Sequence, residues 1–139
     1  MLLEHKVCIA SCVCLVASLF FPVFVIEGNP DNNYPGIEVL FLGWAGIFDG
    51  FIIAWFATPM ALLASIILII GSIRLARWLS ILSIVLALDS LRFTSIPGPQ
   101  VVKILAPAAG EYLWFAFLFL TLLACLIAKP TEASEFTAS

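Results

Sequence analysis

The chain has 139 residues, of which 63% are apolar and only 11% are charged, and its formal net charge is −3. Soluble domains contain roughly 45–50% apolar and about 25% charged residues, so this composition excludes an ordinary soluble fold and indicates a membrane protein. The six Lys and Arg residues form no stripe along the sequence. This spacing argues against nucleic acid as a partner and supplies no basic run for anionic lipid head groups.

The first apolar segment, Val7–Ile26, carries no charge and is close to the 17–25 residues that cross a bilayer. It continues to Ile26 without the small-residue cleavage site of a signal peptide, so we predict a retained first transmembrane helix. Residues 27–38 combine Gly, Pro and Asn with three acids and no base, which predicts a loop in water.

The next apolar stretch, Val39–Ile73, is interrupted only by Asp49 and would be about 52 Å long as one helix, against a hydrocarbon core of about 30 Å. It must therefore be divided. Thr58-Pro59 is a favourable helix start, because Thr is a good N-cap and Pro suits the first helical position. We predict a second span over 59–76 and an apolar outer segment over 37–57.

A third span is predicted over 78–96, ended by Pro97-Gly98-Pro99, and a fourth over 111–128, followed by a disordered tail over 130–139. The predicted fold class is thus all-α: a single integral membrane domain of four short transmembrane helices plus an apolar interfacial or re-entrant outer helix. If residues 39–57 also crossed the membrane, the number of spans would be five.

Orientation follows from the basic residues, which are in excess in short cytoplasmic loops. With four spans and both termini in the cytoplasm, four basic residues are inside and two, Arg92 and Lys103, are outside. Those inside are Lys6, Arg74, Arg77 and Lys129. A fifth span would move Arg74, Arg77 and Lys129 outside, so the charge distribution favours four.

The outer segment has an aromatic face and a glycine face at helical spacing. The aromatic residues are Phe41, Trp44, Phe48, Phe51 and Trp55, and the glycines are Gly43, Gly46 and Gly50. Such a helix can close the outer end of a short bundle with its rings among the lipid head groups. A ligand-binding aromatic surface and a fifth span are the alternatives.

Each span also has a stripe of small residues, which in lipid permit the close approach of helix backbones. The stripes are Cys8, Ser11, Cys12 and Ser18; Ala57, Ala61, Ala64, Ser65 and Ser72; Ser80, Ser83, Ala87 and Ser90; and Thr121, Ala124, Cys125 and Ala128. We interpret three of the four cysteines as small packing residues. A thiolate metal site from Cys8, Cys12, Cys14 and Cys125 is the alternative, and neither metal nor cofactor is predicted.

Ionisable residues in a membrane segment are functional candidates. Asp89 and Arg92 are three apart and share a helix face, and Glu111 opens the last span beside Tyr112 and Trp114. With Trp44 and Asp49 they are predicted near the outer surface. One interpretation is a structural charge network that ties the outer segment to the bundle. The other is a polar recognition surface or the mouth of a small path through the protein.

Three segments carry a resemblance to a known group of proteins: Gly36-Ile-Glu-Val-Leu-Phe-Leu-Gly-Trp-Ala-Gly, Ala54-Trp-Phe-Ala-Thr-Pro and Gly110-Glu-Tyr-Leu-Trp. Between Pro35 and Ala128 the chain resembles small, largely uncharacterised bacterial inner-membrane proteins. The resemblance implies four helices in a bacterial plasma membrane, and no active residues come with it.

The sequence lacks the combination of residues that forms a catalytic site. Its single His5 lies outside the first span, with no nucleophile and base that could meet, so we do not expect an enzyme. We expect a protein that binds another membrane protein or a toxin, for example an immunity protein against a membrane-targeting bacterial toxin or an accessory subunit. The alternative is a subunit of a small oligomeric channel or transporter, and a homo-oligomer is compatible with both.

Overall fold

The computed structural model describes residues 3–28, 35–43, 53–92, 94–96 and 102–129. The chain is mostly helical, as predicted. The helices are α1 (Leu3–Phe20), α2 (Gly36–Gly43), α3 (Ala57–Ile70), α4 (Ile73–Ala87) and α5 (Ala109–Ile127). A 3-10 turn, Ile53–Phe56, leads into α3, and a second, Leu88–Arg92, continues α4. The strands are β1 (Phe24–Ile26), β2 (Ser95–Ile96) and β3 (Val102–Pro107).

Among the described residues, three helical stretches are long and apolar enough to cross a membrane: Leu3–Phe20, Ile53–Ile70 and Ala109–Ile127. They correspond to the first, second and fourth predicted spans. The third predicted span, 78–96, is wrong at both ends: α4 begins five residues earlier, at Ile73, and has 15 residues, while Ser95–Ile96 pair as a strand.

The boundary between the second and third predicted spans is wrong by about one and a half helical turns. The chain turns at Gly71, whose φ of +99° is a left-handed conformation that favours glycine. The Gly71 and Ser72 N–H groups donate to the Leu68 and Ile67 carbonyls, which is the hydrogen-bond pattern of a Schellman C-cap. Arg74 and Arg77 therefore belong to α4 and not to the end of the second helix and the loop after it.

A small antiparallel sheet, which the sequence did not predict, lies at the opposite end of the helices from Gly71. Strand β3 is central, in the order β1-β3-β2, with Val25 opposite Ala106 and Ser95 opposite Lys103. Helix α1 consequently ends at Phe20, and Phe24–Ile26, predicted to be helical, pair as a strand instead. The segment Phe21-Pro22 that leads into β1 lies close against α5, since a Cβ at Gly110 would lie 2.6 Å from the Phe21 carbonyl oxygen.

Helix α5 is at the centre of the fold and packs against α1, α3 and α4, while α2 packs against α1. Its Phe117 and Leu118 are fully buried with Ala57, Ala61 and Ala87 from α3 and α4. Hereafter the sheet end means β1 to β3 with Glu27, α2, residues 53–58 and 88–92, and the first two turns of α5. The turn end means Gly71, Ser72, the first turns of α1 and α4, and the last turn of α5 with residues 128–129.

Candidate functional site

The helix contacts are lined by small and hydroxyl side chains, as the sequence predicts. The buried members of the four predicted stripes are Cys8, Ser11, Ser18, Ala57, Ala61, Ala64, Ser65, Ser80, Ser83, Ala87, Ser90, Thr121, Ala124, Cys125 and Ala128. Cys12 and Ser72 are exposed, so their assignment to the packing stripes is wrong. Cys12 lies on the outward side of α1, one residue beyond buried Ser11.

Buried hydroxyls in these contacts are satisfied by hydrogen bonds, as a low-dielectric interior requires. Ser65 and Ser83 donate to carbonyls of their own helices. Between helices, the Ser11 hydroxyl lies 2.9 Å from the Phe117 carbonyl oxygen and 2.7 Å from the Thr121 hydroxyl. These contacts fix the depth at which α1 packs against α5.

At the sheet end, the predicted pair of Asp89 and Arg92 is confirmed. Arg92 Nη1 lies 3.7 Å from Asp89 Oδ1, and the Arg92 side chain is 83% exposed. An ion pair so exposed contributes little to stability. The other carboxylate oxygen, Oδ2, accepts the Ile53 N–H at 3.2 Å, at the start of the helical stretch Ile53–Ile70. Asp89 thus links the end of α4 to the segment that enters α3.

Glu111 is buried, with 5% of its surface exposed, in the first turn of α5. Ser90 Oγ donates to its Oε1 at 3.3 Å. A carboxylate is favourable near a helix N-terminus, where the backbone N–H groups are unpaired. The contact joins the 3-10 turn after α4 to α5, one residue from Asp89.

Trp114 joins α5 to α3. Its indole N–H donates to the Thr58 hydroxyl at 2.8 Å, and its side chain packs against the buried core. Thr58 is therefore not the N-cap that the sequence predicts. The helix begins at Ala57 after a continuous 3-10 turn, and the buried Thr58 hydroxyl accepts a bond from another helix.

The sheet end therefore contains a group of polar contacts that connects three helices. We call it the polar cluster, and its members are Thr58, Asp89, Ser90, Arg92, Glu111 and Trp114. The structure brings together four of the six predicted candidate residues. The other two, Trp44 and Asp49, lie outside the described residues, as do Phe48, Phe51, Gly46 and Gly50.

Two members of the predicted aromatic face are described, and their environments differ. Phe41 on α2 is 67% exposed. Trp55 is half-buried, and its indole N–H donates to the Leu40 carbonyl at 2.8 Å. This bond ties α2 to the 3-10 turn before α3, so Trp55 has a structural contact within the chain.

At the turn end, Arg77 caps the C-terminus of α5, a contact that the sequence did not reveal. Its Nε donates to the Cys125 carbonyl at 2.8 Å, and its Nη2 donates to the carbonyls of Leu126 and Ala128 at 3.3 and 3.1 Å. A guanidinium in this position satisfies carbonyls that the helix leaves unpaired and complements the helix dipole.

The polar side chains described above form contacts between helices. All four cysteines carry free thiols, and Cys8 and Cys125 are buried whereas Cys12 is exposed. Within the described ranges, no three His, Cys, Asp or Glu side chains are grouped closely enough to hold a metal ion. The polar cluster orients and joins helices, and its two carboxylates have different surroundings: one is part-exposed and ion-paired, and the other is buried.

Comparisons of the chain with models of protein families, with curated proteins and with solved structures found no match.

Proposed function

We propose that this chain is an integral membrane protein of four spans that acts without catalysis, by binding another protein at its sheet end. The observation that supports the membrane assignment is the distribution of side chains. The helix contacts bury Ala, Ser, Thr and Cys, while Ile66, Ile69 and Val85 are each more than half exposed. In lipid such side chains are solvated by acyl chains, and close packing of small residues holds the helices together.

The four proposed spans are α1, the stretch Ile53–Ile70, α4 with its 3-10 continuation, and α5. The stretch Ile73–Arg92 has a length of about 32 Å if its first 15 residues rise as an α-helix and the rest as a 3-10 helix. This length matches a hydrocarbon core of about 30 Å. Its charged residues lie near its two ends, which leaves an uncharged run from Trp78 to Leu88.

The proposed orientation puts both termini and the turn end in the cytoplasm of a bacterium, with the chain in the inner membrane. Among the described residues, the turn end has four basic residues and one acid, Glu4, whereas the sheet end has two basic residues and four acids. Basic residues are enriched on the cytoplasmic side. The bacterial inner membrane follows from the resemblance to small bacterial inner-membrane proteins, which remains a prediction and carries no information on orientation.

The sheet end is the part of the chain suited to recognising a protein. The faces of the helices present Leu, Ile and Val, which any lipid tail can cover. The sheet end presents a fixed backbone surface, held to α5 by the Ala108 and Gly110 N–H groups donating to the Val23 and Pro22 carbonyls at 2.7 and 2.8 Å. Leu105 on β3 remains 58% exposed there. A pre-formed surface of this kind binds without the cost of ordering a loop.

The partner in this proposal is another membrane protein or a toxin that acts on the membrane, so the chain is an immunity protein or an accessory subunit. A channel or transporter subunit is the alternative, and it rests on buried Glu111. Against a path through one chain, Phe117 and Leu118 fill the centre of the helices about two turns of α5 from Glu111. Conduction would therefore require several copies.

Photo-crosslinking in the native host tests the partner proposal. A photoreactive residue replacing Leu105 is expected to give a discrete protein adduct. The control is the same residue replacing Ile69, which is 64% exposed on the face of α3 and should give only lipid adducts. Identical adduct patterns at the two positions would contradict binding at the sheet end. A toxin gene beside the gene for this chain, with loss of protection in the Leu105→Asp variant, would identify the immunity role.

A further inference from the structure

Basic residues that are far apart in the sequence lie at the same end of the fold, the turn end. Lys6 lies on α1, Arg74 and Arg77 on α4, and Lys129 directly after α5. The absence of a basic run in the sequence suggested no site for anionic head groups. The fold changes that expectation, because it places these residues at one end of α1, α4 and α5.

The depth of Lys6 follows from the contact between α1 and α5. The two helices run antiparallel, and Ser11 lies beside Thr121. Five residues nearer the N-terminus, Lys6 is therefore level with Leu126. The Leu126 carbonyl is one of the three that accept hydrogen bonds from Arg77. Lys6 thus lies at the level of the Arg77 cap, on a neighbouring helix.

Arg74 and Lys129 lie beside the same cap. Arg74 is three residues before Arg77, so both side chains leave the same side of α4, with Arg74 closer to the end of the helices. Arg77 Nη2 reaches the Ala128 carbonyl, which immediately precedes Lys129. Arg77 is occupied by these carbonyls, whereas Lys6, Arg74 and Lys129 are exposed.

We infer that Lys6, Arg74 and Lys129 form a binding site for the phosphate head group of an anionic phospholipid, around the end of α5 that Arg77 caps. The inference rests on the proposed membrane-spanning arrangement. Charge complementarity supports this occupant, because three exposed cations at a membrane boundary attract a lipid phosphate. The apolar side chains beside them provide a surface for its acyl chains: Leu75 and Trp78 on α4 and Leu126 on α5 are each about half exposed or more.

Native mass spectrometry of the full chain in mild detergent tests the site, with added phosphatidylglycerol or phosphatidylcholine of the same acyl chains. We expect phosphatidylglycerol to be retained preferentially. A basic residue near a lipid surface contributes about 1 kcal/mol, or about fivefold in affinity, so Arg74→Gln with Lys129→Gln should weaken its binding about 25-fold. Binding of phosphatidylcholine should not change.

The matched control is Arg92→Gln with Lys103→Gln, which removes the same number of positive charges at the sheet end. It should leave phosphatidylglycerol binding within about twofold, because attraction between exposed charges fades over a Debye length of about 10 Å. All four residues are exposed, so both double variants should fold.

Equal retention of the two lipids, or an equal loss in the control variant, would overturn the inference. Displacement of phosphatidylglycerol by an equal concentration of inorganic phosphate would overturn its assignment to a lipid. Resistance of the vesicle-reconstituted chain to alkaline extraction is measured separately. A chain that is extracted contradicts the membrane proposal itself, whereas an integrated chain with no lipid preference contradicts only the lipid site.

Discussion

Enlarging a buried small residue should destabilise this protein more than truncating a large exposed one. Ala61 on α3 is fully buried against Phe117 and Leu118 of α5. Ala61→Leu adds three carbon atoms to a contact between helices in which the Ala61 side chain is fully buried. Overpacking of this kind costs about 1–3 kcal/mol, because α3 must move away from α5.

Ile69→Ala, on the same helix, is the matched comparison. Ile69 is 64% exposed, and in lipid its side chain meets acyl chains in both the folded and the unfolded state. Removing it should change the free energy of unfolding by less than about 1 kcal/mol, whereas deleting a buried Ile in a water-soluble core costs about 2–5 kcal/mol.

The assay is unfolding of the purified chain by increasing mole fractions of sodium dodecyl sulfate in mixed micelles, followed by tryptophan fluorescence. A larger loss from Ile69→Ala than from Ala61→Leu would refute the reasoning, because it would mean that the exposed Ile69 belongs to a packed core and that the small residues do not set the distance between helices.

Three further predictions use the same unfolding assay. Arg77→Gln should cost about 2 kcal/mol or more, since it weakens charged hydrogen bonds that cap α5, while Arg74→Gln should have little effect; equal losses would count against the cap. Trp114→Phe should cost about 1 kcal/mol by leaving the buried Thr58 hydroxyl without its donor, and adding Thr58→Val should recover part of that loss; strictly additive effects would contradict the bond. Glu111→Gln keeps an acceptor for Ser90 and should leave stability unchanged or raise it, because burying the charge costs at least as much as its interaction with the N-terminus of α5 contributes; a large loss would show that the charge itself is required.

The sequence predicted the helix contacts well because their signal is local. In lipid, the residues that pack are the small ones, and their spacing of three or four along each helix identifies the face that turns inward. Ser80, Ser83, Ala87 and Ser90 are all buried for this reason. The pairing of Asp89 with Arg92 is likewise predictable from the sequence, since residues three apart lie on one helical face.

The predicted turn between α3 and α4 is misplaced because the basic residues Arg74 and Arg77 indicate a cytoplasmic boundary, whereas the turn itself is made by a glycine. Arg74 and Arg77 look like a cytoplasmic loop, but Gly71 is the residue whose left-handed conformation ends the helix. The signal was present as Gly71-Ser72 after an uninterrupted apolar run. The enrichment of basic residues on the cytoplasmic side indicates a membrane boundary and not a particular secondary structure, so charge alone does not locate the turn.

The sheet had a weaker signal. Val102 and Ile104 alternate with Lys103 between proline-containing segments, a pattern typical of a strand, but strands of two to six residues are easily read as loop beside long apolar helices. The contacts of Arg77, Trp114 and Glu111 could not be predicted at all. Each joins residues more than 20 positions apart, and only the packing of the helices determines their partners.

The most direct test of the account is the sidedness of Ser72 and Leu105. Ser72 lies at the turn end and Leu105 on β3 at the sheet end, and both are exposed. Each is replaced by Cys in a background whose four native cysteines are Ala, and intact bacterial cells are treated with a membrane-impermeant thiol reagent. We predict that Leu105→Cys is labelled at once and that Ser72→Cys is labelled only after permeabilisation. Labelling of both positions from outside would contradict a bundle in which α3 and α4 cross the membrane.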